Sequence, residues 1–217
     1  TPICEDAWWA QVCTTMAGAG AEFFVVPNGS PYYRDKMPVR HGHMRDRVAE
    51  TGRGIVYLNL VGGQDDQVFD GGSFGVNPDG EIAFQLPQFA EVVAHVDLEN
   101  AGGGWRIKFA EVVPALDPWE ADYRAMVMAL ADYMRKTGFE KVLLGLSGGI
   151  DSALVATIAV DALGPDKVRC VMLPSEYTSA QSLEDAKAVA KALGVRYDFL
   201  PISGPRAAVT EALAPLF

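Results

Sequence analysis

With 217 residues, 49% of them hydrophobic, the chain has room for one large or two smaller domains and is too apolar to be disordered. A net charge of −10 argues against a nucleic-acid partner, so an anionic ligand must be held locally, by loop amides, a helix N-terminus or a metal ion. Three cysteines without a C-x-x-C pair, and no basic-then-apolar leader, point to a cytoplasmic protein without a membrane anchor.

Residues 1–6 read as a strand running into a turn, with Asp6 as N-cap of a helix through Trp8, Val12, Met16 and Ala17 that stops at Gly18. Residues 22–26 form a short buried strand closed by Pro27, Asn28 and Gly29. A helix is expected over 36–51, a strand over 55–61 and a polar loop over 64–72. Asn77-Pro78-Asp79-Gly80 between two apolar runs predicts a hairpin, and 92–98 supplies the last strand of this half.

Cys4, between a strand end and a helix N-terminus, is placed for thiolate chemistry, the alternative being an inert buried cysteine. Cys13 and Cys170 are expected to be inert core. His41-Gly42-His43 lacks a third ligand at metal spacing and reads as an exposed pair. Arg45, Arg47 and Glu50 read as a solvated face, with Arg47 and Glu50 an i,i+3 ion pair.

Residues 100–104 are a glycine-rich linker followed by Pro114 and Pro118, so the domains are set at 1–115 and 116–217, with 105–113 extended and docked. Asp117 caps a helix with the core stripe Tyr123, Met126, Val127, Leu130 and Met134, stopped at Thr137-Gly138.

The stretch 141–161, KVLLGLSGGIDSALVATIAVD, predicts a buried parallel strand, a glycine turn and a helix with Leu154, Val155, Ile158 and Ala159 inward. Strand, glycine loop and helix together offer amides and a helix N-terminus to a phosphate, and Asp151 can face a metal. No Lys follows the glycines, so this is not a G-x-x-x-x-G-K-[ST] loop. A membrane helix would have to bury two glycines, two serines and Asp151, and a plain capped turn needs only one of these polar residues. Strands at 168–173 and 197–200 flank a helix over 180–193 with Gly194 as C-cap. Repeated βα units argue a doubly wound parallel sheet binding ligands at the strands' carboxyl ends, where Ser147 and Ser175 lie.

ICEDAWW, GAEFFVVPNGSPYYRDK and GIVYLNLVGGQDDQVFDGGSF resemble the second half of a nitrilase-type amidase domain, over residues 1 to about 100. The resemblance implies an α/β fold, the C-terminal half of an αββα sandwich. It makes Cys4 the nucleophile that forms a thioester with a carboxamide and releases ammonia. As in glutamine-using members, Ser30 and Lys36 would hold the substrate, Lys36 at its carboxylate and Ser30 at its amino or carboxylate group. The family's general-base Glu and its supporting Lys lie upstream of the nucleophile, where only Thr1, Pro2 and Ile3 stand. The sequence is therefore expected to be a stretch of a longer protein, without glutamine hydrolysis of its own.

GLSGGIDSA with MLPSEYTSAQSLEDA is similar to the start of the synthetase domain of NAD synthetases, PP-loop (adenine nucleotide alpha hydrolase-like) ATP pyrophosphatases. It implies ATP wrapped by Gly145, Leu146, Ser147, Gly148, Gly149, Ile150, Asp151 and Ser152, with Mg²⁺ at Asp151. Met172 would line the adenine pocket, or be an ordinary core methionine. The rest of that domain is expected beyond Phe217, so synthesis by these residues alone is expected to be weak or absent. The two segments on one chain resemble the glutamine-dependent NAD synthetases. Such a ligase adenylates nicotinic acid adenine dinucleotide with ATP and amidates it with ammonia from glutamine, as an expected homo-oligomer. Another adenylating amidotransferase of the PP-loop group, or a non-catalytic assembly module, are the alternatives.

Overall fold

The computed structural model describes residues 1–100, 102 and 104–216. The chain divides into two compact units, Thr1–Asp132 and Tyr133–Phe217.

The first unit opens with a 3₁₀ turn, Cys4–Trp8, and helix α1, Ala10–Gly18. Asp6 does not cap α1, whose N-cap is Trp9; its carboxylate instead accepts the Ile3 amide at 3.1 Å and closes the 3₁₀ turn. Strand β1 (Phe24–Asn28), helix α2 (Lys36–Thr51) and strand β2 (Ile55–Asn59) follow. The expected loop over 64–72 is in fact the far half of a hairpin, β3 (Val61–Gln64) with β4 (Gln67–Asp70). Its polar composition hid the buried Phe69 and Asp70. The Asn77–Gly80 turn does join a hairpin, β5 (Phe74–Val76) to β6 (Ile82–Gln85).

The sheet order is β1-β2-β5-β6, with β1 parallel to β2 and the rest antiparallel. Strand alternation sends Phe24, Val26, Ile55, Tyr57, Phe74 and Val76 into a core with Cys13, Met37, Met44 and Val48 of α1 and α2. Val56, Ala83 and Phe84 pack on the other side with Ile107.

Residues 92–97 carry no regular structure, against the strand expected there; Val93 is 95% exposed, so its apolar side chain is not a sign of burial. Strand β7 (Leu98–Asn100) pairs with β8 (Trp105–Ile107). Ala101 and Gly103 of the glycine-rich linker lie outside the described residues. The extended segment after β8 docks as expected: the Ala110 amide bonds the Ala83 carbonyl, the Gln85 amide bonds Glu111, and the Val113 amide bonds Gln85. Helix α3 (Pro118–Thr137) begins where Asp117 Oδ1 accepts the Trp119 amide at 2.9 Å. Its buried positions are Ala121, Ala125 and Met134, whereas Met126, expected inward, is 42% exposed. Gly138, at φ 78°, ends it.

The second unit holds a three-stranded parallel sheet in the order β11-β10-β9, built from β9 (Val142–Gly145), β10 (Val168–Met172) and β11 (Arg196–Phe199). Helix α4 (Ile150–Leu163) links β9 to β10, α5 (Ala180–Leu193) links β10 to β11, and α6 (Ser203–Leu213) follows. Central β10 buries Val168, Cys170 and Met172. Strand β9 lies at the sheet edge with Leu143 69% exposed, not fully buried as its apolar run predicts. Helix α4 likewise buries Ala156, Ile158 and Ala159 and leaves Leu154 and Val155 exposed. Among the described residues, no helix is long and apolar enough to cross a membrane.

Candidate functional sites in the two units

Cys4 is half-buried and stands at φ 51°, a left-handed conformation that costs a non-glycine residue energy and is held only by its surroundings. The surroundings are the 3₁₀ turn and what grips its far end. Arg47 Nη1 donates to the Trp8 carbonyl at 2.6 Å, and Arg47 Nη2 pairs with Glu50 at 2.7 Å. Arg47 is therefore buried, not on a solvated face, although its expected partner is right. Because Cys4 opens a five-residue 3₁₀ turn and not an α-helix, the expected helix-dipole support is replaced by this strained turn.

Lys36, the first residue of α2, is only 7% exposed. Its Nζ lies 4.5 Å from the Trp8 ring centroid and 4.2 Å from that of Tyr33, two cation–π contacts. Among the described residues no carboxylate pairs with it. His43 stacks on the other aromatic partner, Trp8, at 4.6 Å, while His41 packs edge-on against Phe74. The two histidines thus face different neighbours, and His41 is not exposed as expected. Burial, then the charges of Arg45 and Arg40, lower the His41 pKa to about 4, with Gln85 opposing.

Ser30 follows β1 and is 3% exposed. Asn59, at the end of the parallel neighbour β2, accepts the Ser30 amide at 2.9 Å and donates to the Ser30 and Gly71 carbonyls. Arg40 Nε donates to Ser30 Oγ at 3.2 Å and Arg40 Nη2 to the Ser30 carbonyl at 2.8 Å. Beneath it the fully buried Asp70 accepts through Oδ2 from Arg40 Nη1 at 3.0 Å and Gln88 Nε2 at 2.8 Å, while its Oδ1 lies 2.8 Å from Arg40 Nη2 as an ion-pair contact without a hydrogen bond. A buried ion pair survives desolvation when further hydrogen bonds of this kind satisfy it. Tyr57, stacked on Phe74, has a buried hydroxyl without a hydrogen-bond partner. Burial raises its pKa, while the neighbouring Ser30 and Arg40 work against the rise and Cys4 adds to it.

The structure thus gathers the Cys4 turn and Lys36 around Trp8, and seats Ser30 on a polar network. Asn59, Arg40, Asp70 and Gln88 escaped the sequence reading, and Arg47 was read there only as part of a solvated face. The remaining thiols, Cys13 and Cys170, are buried, and burial raises the pKa of each.

In the second unit the loop after β9 is closed by its own serines. The Ser147 amide donates to Ser152 Oγ at 3.2 Å, Ser152 Oγ donates to the Gly149 carbonyl at 2.9 Å, and the Gly149 amide donates to Ser147 Oγ at 3.3 Å. Helix α4 starts with extended Gly149 as N-cap, and the Ala153 amide makes its first internal bond, leaving earlier first-turn amides without an intrahelical acceptor. Helix α5 begins close by, capped by Ser179, whose Oγ accepts the Ser182 amide at 3.1 Å. Gly148 is at φ 83°, and a Cβ there would lie 2.3 Å from the Ser182 carbonyl oxygen, so no side chain fits.

Gly145, Leu146 and Ser147 share a cavity of about 250 Å³ with Met172, Leu173 and Thr178 at the end of β10. Met172 is thus brought beside the loop. Ile150 and Asp151 are exposed in the first turn of α4. Among the described residues no group of three or more His, Cys, Asp or Glu could hold a metal. A lone carboxylate still fits Mg²⁺, which commonly takes one or two carboxylates and completes its shell with substrate phosphates and water.

Residues 1–105 match the carbon-nitrogen hydrolase family model and residues 122–215 the NAD synthase family model. The glutamine-dependent NAD(+) synthetase of Rhodobacter capsulatus is 59% identical over 213 residues, 98% of this chain and 39% of that protein. That of Acinetobacter baylyi is 42% identical over 217 residues, 99% of this chain and 39% of that protein. The solved structure of glutamine-dependent NAD+ synthetase from Acinetobacter baumannii, in complex with ADP, has a TM-score of 0.93 at 40% identity, over 99% of this chain and 40% of that one. Fold and matches define the chain as a nitrilase-like segment joined to the start of a PP-loop synthase domain. Over nearly its whole length it is similar to the glutamine-dependent NAD(+) synthetases, and it spans 39% of the length of those two curated relatives.

Proposed function

We propose that the chain is part of a ligase that makes NAD from nicotinic acid adenine dinucleotide, ATP and glutamine. The observation that carries the reading is the strained Cys4 turn, packed through Trp8 against the carboxylate-free Lys36, on the same chain as the Ser147–Ser152 loop. Near-complete alignment with glutamine-dependent NAD(+) synthetases supports it.

In this reading Lys36 and Ser30 hold glutamine while Cys4 Sγ attacks its side-chain carboxamide. The thioester forms as the C–N bond breaks, ammonia leaves, and water then releases glutamate. The base that takes the Cys4 proton is the Glu that the resemblance places upstream of the nucleophile, outside residues 1–217. In the other half, Gly145–Ser152 wrap the phosphates of ATP, with the amides of the loop and of the first turn of α4 as donors. Met172 lines the adenine pocket. Asp151 would hold Mg²⁺, and the ion would supply neutralisation of the phosphate charge. The carboxylate of the acid dinucleotide displaces pyrophosphate from ATP, and ammonia then displaces AMP to leave the amide.

A domain boundary near residue 115 belongs to the same proposal, supported by family matches that stop at 105 and resume at 122. So do a homo-oligomeric assembly and a cytoplasmic location, the latter supported by three free cysteines.

The test uses the enzyme at its relatives' full length. A glutamine analogue carrying an electrophilic diazoketone should add covalently to the peptide bearing Cys4 and to neither Cys13 nor Cys170. Cys4→Ala should abolish glutamine-supported NAD formation and leave ammonia-supported formation within about threefold. Glutamine-supported synthesis surviving in Cys4→Ala would refute the role of this thiol.

A further inference from the structure

We infer that Arg40 is a positioning residue for the glutamine site, fixing Ser30 as a hydrogen-bond donor that reads the substrate's α-carboxylate and not its ammonium group. The inference rests on the glutamine reading above and decides between the two groups that Ser30 could address.

A guanidinium has five N–H donors and no acceptor. Arg40 directs them to Ser30 Oγ (3.2 Å), the Ser30 carbonyl (2.8 Å), the Pro31 carbonyl (3.3 Å) and Asp70 Oδ2 (3.0 Å), with Asp70 Oδ1 in ionic contact at 2.8 Å. Ser30 Oγ therefore meets Arg40 through a lone pair, and its proton must point elsewhere. The buried Tyr57 hydroxyl beside it meets no partner in hydrogen-bonding geometry, although Ser30 lies near enough to work against the rise of the Tyr57 pKa, so the two hydroxyls make a loose contact that a ligand acceptor can displace. What is left is a hydroxyl with a spoken-for lone pair and an uncommitted proton.

Such a group binds an acceptor. The other group proposed to hold the substrate is Lys36, a second donor without a carboxylate of its own. Two donors suit a carboxylate and would oppose an ammonium. Arg40 does not supply the attraction itself, because its charge is balanced by Asp70, which Gln88 also holds at 2.8 Å. Its effect on a ligand passes through the Ser30 hydroxyl. Bonds to the main chain of residues 30 and 31 fix the guanidinium's own orientation, so the Ser30 proton is aimed before any ligand arrives.

Three amides test this in the full-length enzyme: glutamine, glutaramic acid, which lacks the α-amino group, and 4-aminobutanamide, which lacks the α-carboxylate. The wild-type enzyme should lose far more kcat/KM when the carboxylate is removed than when the amino group is. Arg40→Lys keeps a charge opposite Asp70 but loses the fork. It should raise KM for glutamine and glutaramic acid about 10- to 100-fold, with kcat falling less, and leave kcat/KM for 4-aminobutanamide within about threefold. Ser30→Ala should show the same pattern, and the double variant should be no worse than Ser30→Ala alone. Asp70→Asn, which loosens Arg40 without removing it, should lower the carboxylate preference too, so a poorly folding Arg40 variant does not end the test. Equal losses on all three amides in both variants would reduce Arg40 to a structural role and overturn the inference. A wild-type enzyme indifferent to the carboxylate would overturn it as well. No ammonia from glutamine with the wild-type enzyme would instead refute the glutamine reading, and the inference with it.

Discussion

Two arginines of α2 occupy positions that an amphipathic helix gives to aliphatic side chains: Met37, Arg40, Met44, Arg47 and Val48 are all buried. Each arginine is paid for by specific partners, Asp70 and Ser30 for Arg40, Trp8 and Glu50 for Arg47. That was the missed signal, since charges recurring at core spacing in a helix are either misassigned or committed to a network. The partners were harder to foresee. Asp70 lies 30 residues from Arg40, in a segment whose glycines and aspartates read as a loop. His41, beside Arg40 on α2, gives the unit a pH dependence. Its pKa falls to about 4 in the folded protein from an ordinary 6.5, because the charged form is desolvated and repelled. The unfolded chain therefore binds more protons between pH 4 and 6.5, so stability is full above 6.5 and is lost as pH falls towards 4. Thermal midpoints measured across that window should fall with pH in the wild type and fall less in His41→Asn. Parallel curves for the two proteins would show that His41 does not govern this loss.

At the scale of elements, the sequence read best where periodicity and punctuation agree. Helix α2 appears over Lys36–Thr51 as expected, and the β9–β11 repeat gives the parallel sheet. It read worst where composition stood in for geometry. The β3–β4 hairpin was hidden by polar residues, and 92–97 was taken for a strand on apolar content alone. The strand, glycine loop and helix after residue 141 were legible, but not the loop's dependence on α5. Gly148 packs on the Ser182 carbonyl at the start of that helix, so loop and helix must fit each other as a pair. Gly148→Ala combines a disfavoured φ of 83° with a backbone overlap that no side-chain rotation relieves. It should raise KM for ATP more than tenfold while glutamine hydrolysis stays near wild type. An unchanged KM for ATP would show that the loop can retreat from α5 without harm.

At the scale of the whole chain, two compact units hold the two proposed sites, and the nitrilase-like and synthase segments were each recognisable from their own motifs. Neither identity followed from charge or composition, which only limited the kinds of partner. The tie of residues 110–113 to β6 has a consequence for handling the protein. A protease needs about ten residues of pliable chain to bind its substrate, and the Ala110, Glu111 and Val113 main chain is fastened to Ala83 and Gln85. Residues 91–96 are exposed and, among the described residues, carry no such main-chain bond; the first is at Asp97, whose carbonyl accepts the Lys108 amide. An acid-specific endoprotease should therefore cleave after Glu91 well before it cleaves after Glu111, although both side chains face water. Mass spectrometry of early digestion products reads the order directly. Cleavage after Glu111 first would mean that the strap lets go more readily than its hydrogen bonds indicate, leaving the nicked fragments as a guide to where the chain opens.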